Sequence, residues 1–203
     1  MLQRVSRFAL ILAVGLLCLS PARLQAAPGT PSDVVRHFYA ELLNSMKNAA
    51  ALGPKGRYEK LEPVVVAAFD LPFMTKMSVG ASWNRLAPDE KQRAWKAFAR
   101  FVTATYSTQF DDYTGEKFEM LGEQPISHGT IVRTRLVQPD GGKVAINYVL
   151  HDNGTAWQIR DVYLAGTISE LATRRSDFVS TLRSGGIEAL IARLNKKADD
   201  LQG

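Results

Sequence analysis

The chain has 203 residues, 46% of them apolar and 22% charged, which is enough for one domain with a sizeable core. Its formal charge of +5 overstates its basicity, because Arg4, Arg7 and Arg23 fall in the first 27 residues with no acid beside them. The remainder is nearly balanced and has no basic block interleaved with aromatics, which argues against nucleic acid as a partner.

Residues 1–27 have the layout of a secretory signal. Arg4 and Arg7 supply a positive start, Phe8 to Leu19 is an apolar run too short to span a bilayer comfortably, and Pro21 to Ala27 is a small-residue-rich exit. Cleavage after Ala26 or Ala27 leaves one domain over residues 28–203. Cys18, the one cysteine, lies inside the apolar run behind Leu17, which is too large for a lipoprotein cleavage box. The mature protein is therefore expected to have no disulfide and no thiol chemistry, and its expected compartment is the periplasm.

Thr30 to Ala51 reads as a helix that Ser32 or Thr30 can cap, with Val34, Val35, Phe38, Leu42 and Met46 as its apolar stripe. Gly53, Pro54 and Gly56 break it. Arg57 to Phe69 is a second helical stretch strained by Pro63, although Val64 to Val66 can equally begin an extended segment. Asp70-Leu71-Pro72 turns the chain into a short amphipathic piece, Phe73 to Val79, which Gly80 ends. Pro88 to Phe110 is a long helix. Ala94, Trp95, Phe98, Phe101, Val102, Thr105, Tyr106 and Gln109 recur on one face; Arg93, Lys96, Arg100, Thr103 and Ser107 line the other. Pro88 suits the first helical position, and Asp89 and Glu90 suit the positive end of the helix dipole.

The period then changes. Lys117 to Leu121, Thr130 to Gln138, Lys143 to His151 and Ala156 to Leu164 read as strands, with hairpin signals at Asp140-Gly141-Gly142 and Asn153-Gly154. Alternation places Val132, Thr134 and Leu136, then Val144, Ile146, Tyr148 and Leu150, then Trp157, Ile159, Asp161 and Tyr163 on one face. Ser169 to Leu182 and Ile187 to Leu201 are terminal helices separated by Gly185-Gly186. Helices, a four-stranded antiparallel meander and helices again make an α+β layout with one apolar sheet face to cover.

These residues resemble a known family. The run Phe69-Asp70-Leu71-Pro72-Phe73-Met74, then Gly80-Ala81-Ser82-Trp83, then the aromatic helix ending at Tyr106, is similar to the MlaC or toluene-tolerance (Ttg2-type) family of lipid carriers. Tyr148, Trp157-Gln158-Ile159-Arg160-Asp161-Val162, Gly166, Ser169, Arg175-Ser176-Asp177-Phe178 and Gly186-Ile187-Glu188-Ala189-Leu190-Ile191 continue the likeness. Residues 164–172 look closer to the hopanoid-associated HpnM branch, and Arg174 stands where the family commonly has Tyr. The resemblance implies a fold of the nuclear-transport-factor-2 (NTF2-like) class, a curved sheet with helices over it and an apolar cavity between. It also implies a non-enzymatic periplasmic shuttle, expected as a monomer, with lipid (hopanoid or phospholipid) as cargo and no cofactor. Its implied protein partners are an inner-membrane lipid transporter complex and an outer-membrane acceptor.

Such a carrier must shield hydrocarbon from water: two acyl chains of about 30 methylenes would cost about 24 kcal/mol to expose, at roughly 0.8 kcal/mol for each methylene. The wall candidates are Phe69, Phe73, Met77, Trp83, Phe98, Phe101, Val102, Tyr106, Leu136, Ile146, Tyr148, Trp157 and Ile159; each of them equally suits a plain core. Arg57, Lys60, Lys76, Arg85, Arg174, Arg175 and Arg183 can attract acidic partners or lipid heads, or merely solvate the surface. Two rival readings use the same residues. One is a protein-binding adaptor with a filled interior. The other is an isomerase or dehydratase with Asp161, near Tyr148, as a carboxyl in an apolar pocket. His37, His128 and His151 have no metal-ligand spacing, and neither a phosphate-binding glycine loop nor a Gly-x-Ser-x-Gly elbow is present.

Overall fold

A computed structural model describes residues 29–203; the expected signal, residues 1–27, and Cys18 with it, lies outside them. Four α-helices come first: α1 (Pro31–Lys47), α2 (Ala49–Ala68), α3 (Leu71–Val79) and, after a 3-10 turn over Gly80–Arg85, α4 (Pro88–Gln109). The strands β1 (Lys117–Ile126), β2 (Gly129–Val137), β3 (Lys143–Asp152), β4 (Trp157–Leu164) and β5 (Ile168–Ser169) follow, and α5 (Glu170–Gln202) ends the chain. Among the described residues no helix is long and apolar enough to cross a membrane.

Local chemistry sets the boundaries. Thr30, not Ser32, caps α1: its hydroxyl accepts the Asp33 amide while the Asp33 carboxylate accepts that of Thr30. At α4, Pro88 takes the first position, and the Glu90 carboxylate accepts the Ala87 amide at 2.7 Å. The break expected at Gly53, Pro54 and Gly56 is a kink within α2, where Gly53 alone leaves helical geometry with φ 63°. Val64 to Val66 are helical, and Val65 is fully buried in the core. Gly186, with φ 65°, likewise kinks α5 without ending it.

The five strands form one curved antiparallel sheet in sequential order, so the four-strand meander is present with a two-residue strand added at its edge. The helices pack over one face. The core between them holds Phe38 and Leu42 of α1, Leu61 and Val65 of α2, Phe98 of α4, Val132, Tyr148, Leu150 and Ile159 of the sheet, and Phe178, Leu190 and Leu194 of α5. The far side of α4 is covered too: Thr103 and Ser107 are buried, and the rim of that contact is tied by Arg93 to Glu188 and by Arg100 to Asn195 and Asp199.

One irregularity re-aims a strand. Between Val149 and Leu150 the pairing with β4 slips, so Leu150 faces Ile159, Val149 faces Asp161, and Arg160 is the extra residue. Ile159 points into the core as the alternation predicts. Beyond the bulge the phase inverts: Val162 pairs with Tyr148 and Leu164 with Ile146, while Asp161 and Tyr163 move to the opposite face. The inward placement expected for Asp161 and Tyr163 is thereby corrected.

Candidate functional site

The bulge, the curvature of the sheet and the aromatic face of α4 leave a hollow between them. It has a cavity volume of about 140 Å³ and opens to solvent at its mouth. That volume is smaller than the roughly 300–1,000 Å³ of pockets that bury a whole small molecule, so the walls must move apart to take more than a short length of hydrocarbon. The helical side is supplied by Phe69 at the end of α2, Met74 of α3, Phe98, Val102, Thr105, Tyr106 and Gln109 of α4, and Phe110 just beyond it. Ile146 and Tyr148 of β3 and Val162 and Leu164 of β4 supply the sheet side. Glu170 and Arg174, one turn apart at the start of α5, complete the lining.

An interlocked aromatic cluster backs these walls. Phe38 meets Phe69 and Tyr106 edge-on, at 5.3 and 5.1 Å between ring centroids, and Tyr39 stacks on Phe118 at 4.0 Å. The Tyr39 hydroxyl lies 2.6 Å from Thr134 Oγ1, whose own proton goes to the Ile146 carbonyl, so Tyr39 is the donor. Burial pushes the Tyr39 phenol up to about 12 and that of Tyr148 well above its ordinary value. The Tyr106 phenol is also pushed up, chiefly by burial, with Tyr39 and Glu170 adding to the effect and Arg174 opposing it. All three are neutral hydrogen-bonding groups in an apolar setting.

Of the sequence-predicted wall residues, six share this hollow: Phe69, Phe98, Val102, Tyr106, Ile146 and Tyr148. The other seven lie elsewhere. Ile159 is solid core, opposite Phe69 in a parallel bridge that also joins the Asp70 amide to the Ile159 carbonyl at 2.9 Å. Phe73 lies beneath the Arg160 guanidinium, 4.3 Å away, and Arg160 also grips Asp70 at 2.9 Å, which pins α3 to the sheet. Phe101 is buried under the Arg174 guanidinium at 4.7 Å, on a neighbouring line of α4. Leu136, Trp83 and Trp157 are half-buried supports of the core. Met77 is exposed, beside a shallow depression formed with Ser169, Leu171, Ala172 and Arg175.

The sequence reading did not name Met74, Thr105, Gln109, Phe110, Val162, Leu164, Glu170 and Arg174 as wall candidates. Thr105 and Gln109 were legible as members of the α4 face, and Arg174 as a departure from the family pattern. Val162 and Leu164 were hidden by the bulge. Of the cations singled out, Arg174 alone lines the hollow. Arg57 donates to the Ser107 carbonyl at 2.9 Å, closing the end of α4.

Asp161 is engaged elsewhere. Its carboxylate accepts the Ser169 hydroxyl at 2.6 Å and the Leu171 amide at 3.1 Å, which anchors the start of α5. Ser169 in turn caps that helix by accepting the Ala172 amide. Among the described residues no group of His, Cys, Asp and Glu is placed to hold a metal ion.

The fold and the hollow define a class: proteins in which helices wrap a curved antiparallel sheet and leave an apolar, open-ended space beside it. The comparisons agree. Residues 36–196 match the MlaC protein family, so the chain belongs to the MlaC family. A solved structure described as the phospholipid-binding protein from Ralstonia solanacearum, in complex with a phospholipid, superposes with a TM-score of 0.75. It is 16% identical and is covered in full by 86% of this chain, a likeness of fold.

Proposed function

We propose that this protein is a lipid carrier that holds the hydrocarbon part of one membrane lipid in the hollow and leaves the polar head at the mouth. The observation that carries this reading is the lining itself. Ten of its members are apolar or aromatic, they come from five different elements, and the only charged ones, Glu170 and Arg174, stand together. Membership of the MlaC family supports it, as does the fold shared with a protein described as binding phospholipid.

In this reading residues 1–27 direct export and are removed, residues 28–203 act as one domain in the periplasm, and the protein passes lipid between an inner-membrane transporter complex and an outer-membrane acceptor. The cargo is a hopanoid or a phospholipid. Residues 164–172, with their likeness to the hopanoid-associated branch, favour a hopanoid. Non-directional apolar contact holds the cargo, so release needs no specific bond to be broken. No chemical step is assigned: the engagement of Asp161 with Ser169 and Leu171 supports a structural role for that carboxylate.

Native mass spectrometry of protein recovered from the periplasm, followed by extraction and identification of the bound lipid, tests the reading. One lipid per chain is the expected result. Protein that is lipid-free under conditions that retain lipid on a known carrier overturns it in favour of the adaptor.

A further inference from the structure

The hollow's charged lining consists of one acid and one base, and they neutralise each other. Arg174 Nη2 lies 3.3 Å from Glu170 Oε2 across one helical turn, with side-chain exposures of 22% and 27%. Both positions are fixed. Arg174 is held over the Phe101 ring, 4.7 Å from its centroid, and Glu170 opens the first turn of α5, where the helix dipole favours a negative charge. The nearby charges do not join the lining: the Asp161 carboxylate is taken up by Ser169 and Leu171, and the Lys197 ammonium, 5.8 Å from the Phe101 ring, belongs to an exposed residue outside it.

An anionic head group drawn towards Arg174 meets Glu170 at nearly the same distance, and the two effects largely cancel. Because the pair is about three-quarters shielded from water, this cancellation occurs where charges are felt more strongly than in bulk solvent. A zwitterionic head can satisfy both members at once, and an uncharged polyol can donate to Glu170 and accept from Arg174.

We infer that the Glu170–Arg174 pair is a specificity determinant that selects cargo whose polar head carries no net charge, zwitterionic or polyhydroxylated, over cargo with an anionic head. This rests on the carrier reading above and adds the class of head group to it.

Delipidated protein is incubated with vesicles containing equal parts phosphatidylcholine, phosphatidylglycerol and a hopanoid polyol, the two phospholipids having identical acyl chains. The lipid bound after separation is then quantified. Wild type is expected to load the phosphatidylcholine or the hopanoid in preference to phosphatidylglycerol. Glu170→Gln should shift the ratio towards phosphatidylglycerol by roughly twofold to fivefold, the range of a partly exposed charge pair, and Arg174→Gln should shift it away. The exchanged pair, Glu170→Arg with Arg174→Glu, should return towards the wild-type ratio. Melting curves identify any variant that fails to fold, and the remaining variants then decide. Loading at one ratio by every folded variant, or a wild-type preference for phosphatidylglycerol, overturns the inference and leaves the carrier standing. Loading of none of the three lipids by wild type overturns the carrier, and the inference with it.

Discussion

At the scale of single residues, the polar groups beneath the hollow make commitments that can be measured. Tyr39 is buried, donates to Thr134 and has its phenol raised to about 12, against about 10 in an unfolded chain. Between these values the unfolded state loses a proton that the folded state keeps. Tyr39 therefore contributes stability that is intact below pH 10 and falls, by up to about 1.4 kcal/mol per pH unit, as pH rises towards 12. Urea titrations at pH 9, 10 and 11 should show this slope, and Tyr39→Phe should make it shallower. An unchanged slope would place the alkaline sensitivity elsewhere. Asp161 makes the second commitment. In Asp161→Ala the Ser169 hydroxyl and the Leu171 amide lose their shared acceptor, at a cost of about 1–3 kcal/mol. The melting temperature should fall while the folded protein still takes up lipid. Loss of loading in fully folded Asp161→Ala would instead bring that carboxylate into the hollow's function.

At the scale of elements, the hairpin between β1 and β2 depends on Gly129. Its φ is 144°, and a Cβ there would stand 2.0 Å from the Leu150 carbonyl oxygen, part of the neighbouring strand's backbone, which has nowhere to go. Gly129→Ala should destabilise by about 1–3 kcal/mol from backbone strain alone, with the clash added; a melting temperature equal to wild type would disprove the geometry. Positions such as this also mark the limit of what could be read beforehand. The long helix, the three hairpin-linked strands after it and the capped first helix were all visible, because periodicity and turn chemistry are local. The bulge at Arg160 was not. The alternation of Trp157 and Ile159 with Gln158 and Arg160 breaks at Asp161, where two polar residues in a row are followed by Val162 and Leu164 in the opposite phase. Carrying the first phase through that break hid the inserted residue, because Tyr163 fits either phase and only the partner strand fixes the register. That single slip explains why Val162 and Leu164 were missed and why Asp161 was placed near Tyr148. The end of β1 was unreadable for a different reason: residues 121–126 are exposed, so no apolar alternation marks them as strand. The site was half legible for a third. The α4 face is read directly from helical spacing, but which of its two adjacent lines meets open space, that of Phe98 and Val102 or that of Phe101, depends on where α5 lies.

At the scale of the whole molecule, an interior with a gap in it should be less stable empty than filled. Apolar surface around the hollow lacks packing partners, and a hydrocarbon chain would supply them. A ligand that binds only the folded state at about 100 times its dissociation constant stabilises it by about 2.7 kcal/mol. For a chain of this size each kcal/mol raises the melting temperature by about 2–4 °C, so loading should raise it by about 5–11 °C. Ile146→Trp tests whether the hollow is where that gain arises. Ile146 is buried and lines the space, so a larger ring there occupies room the chain would use, while overpacking itself costs about 1–3 kcal/mol. This variant should bind less lipid and show a smaller rise on exposure to vesicles than wild type, whereas Phe101→Trp, on a line of α4 outside the lining, should keep most of its rise. Raising the salt to 1 M should leave the occupancy of wild type nearly unchanged, because contact with hydrocarbon is not screened and the Glu170–Arg174 pair adds selectivity rather than the bulk of the affinity. An equal rise in both tryptophan variants would mean that lipid binds on another surface, and stripping of lipid by salt would mean that charge, rather than the apolar wall, holds it.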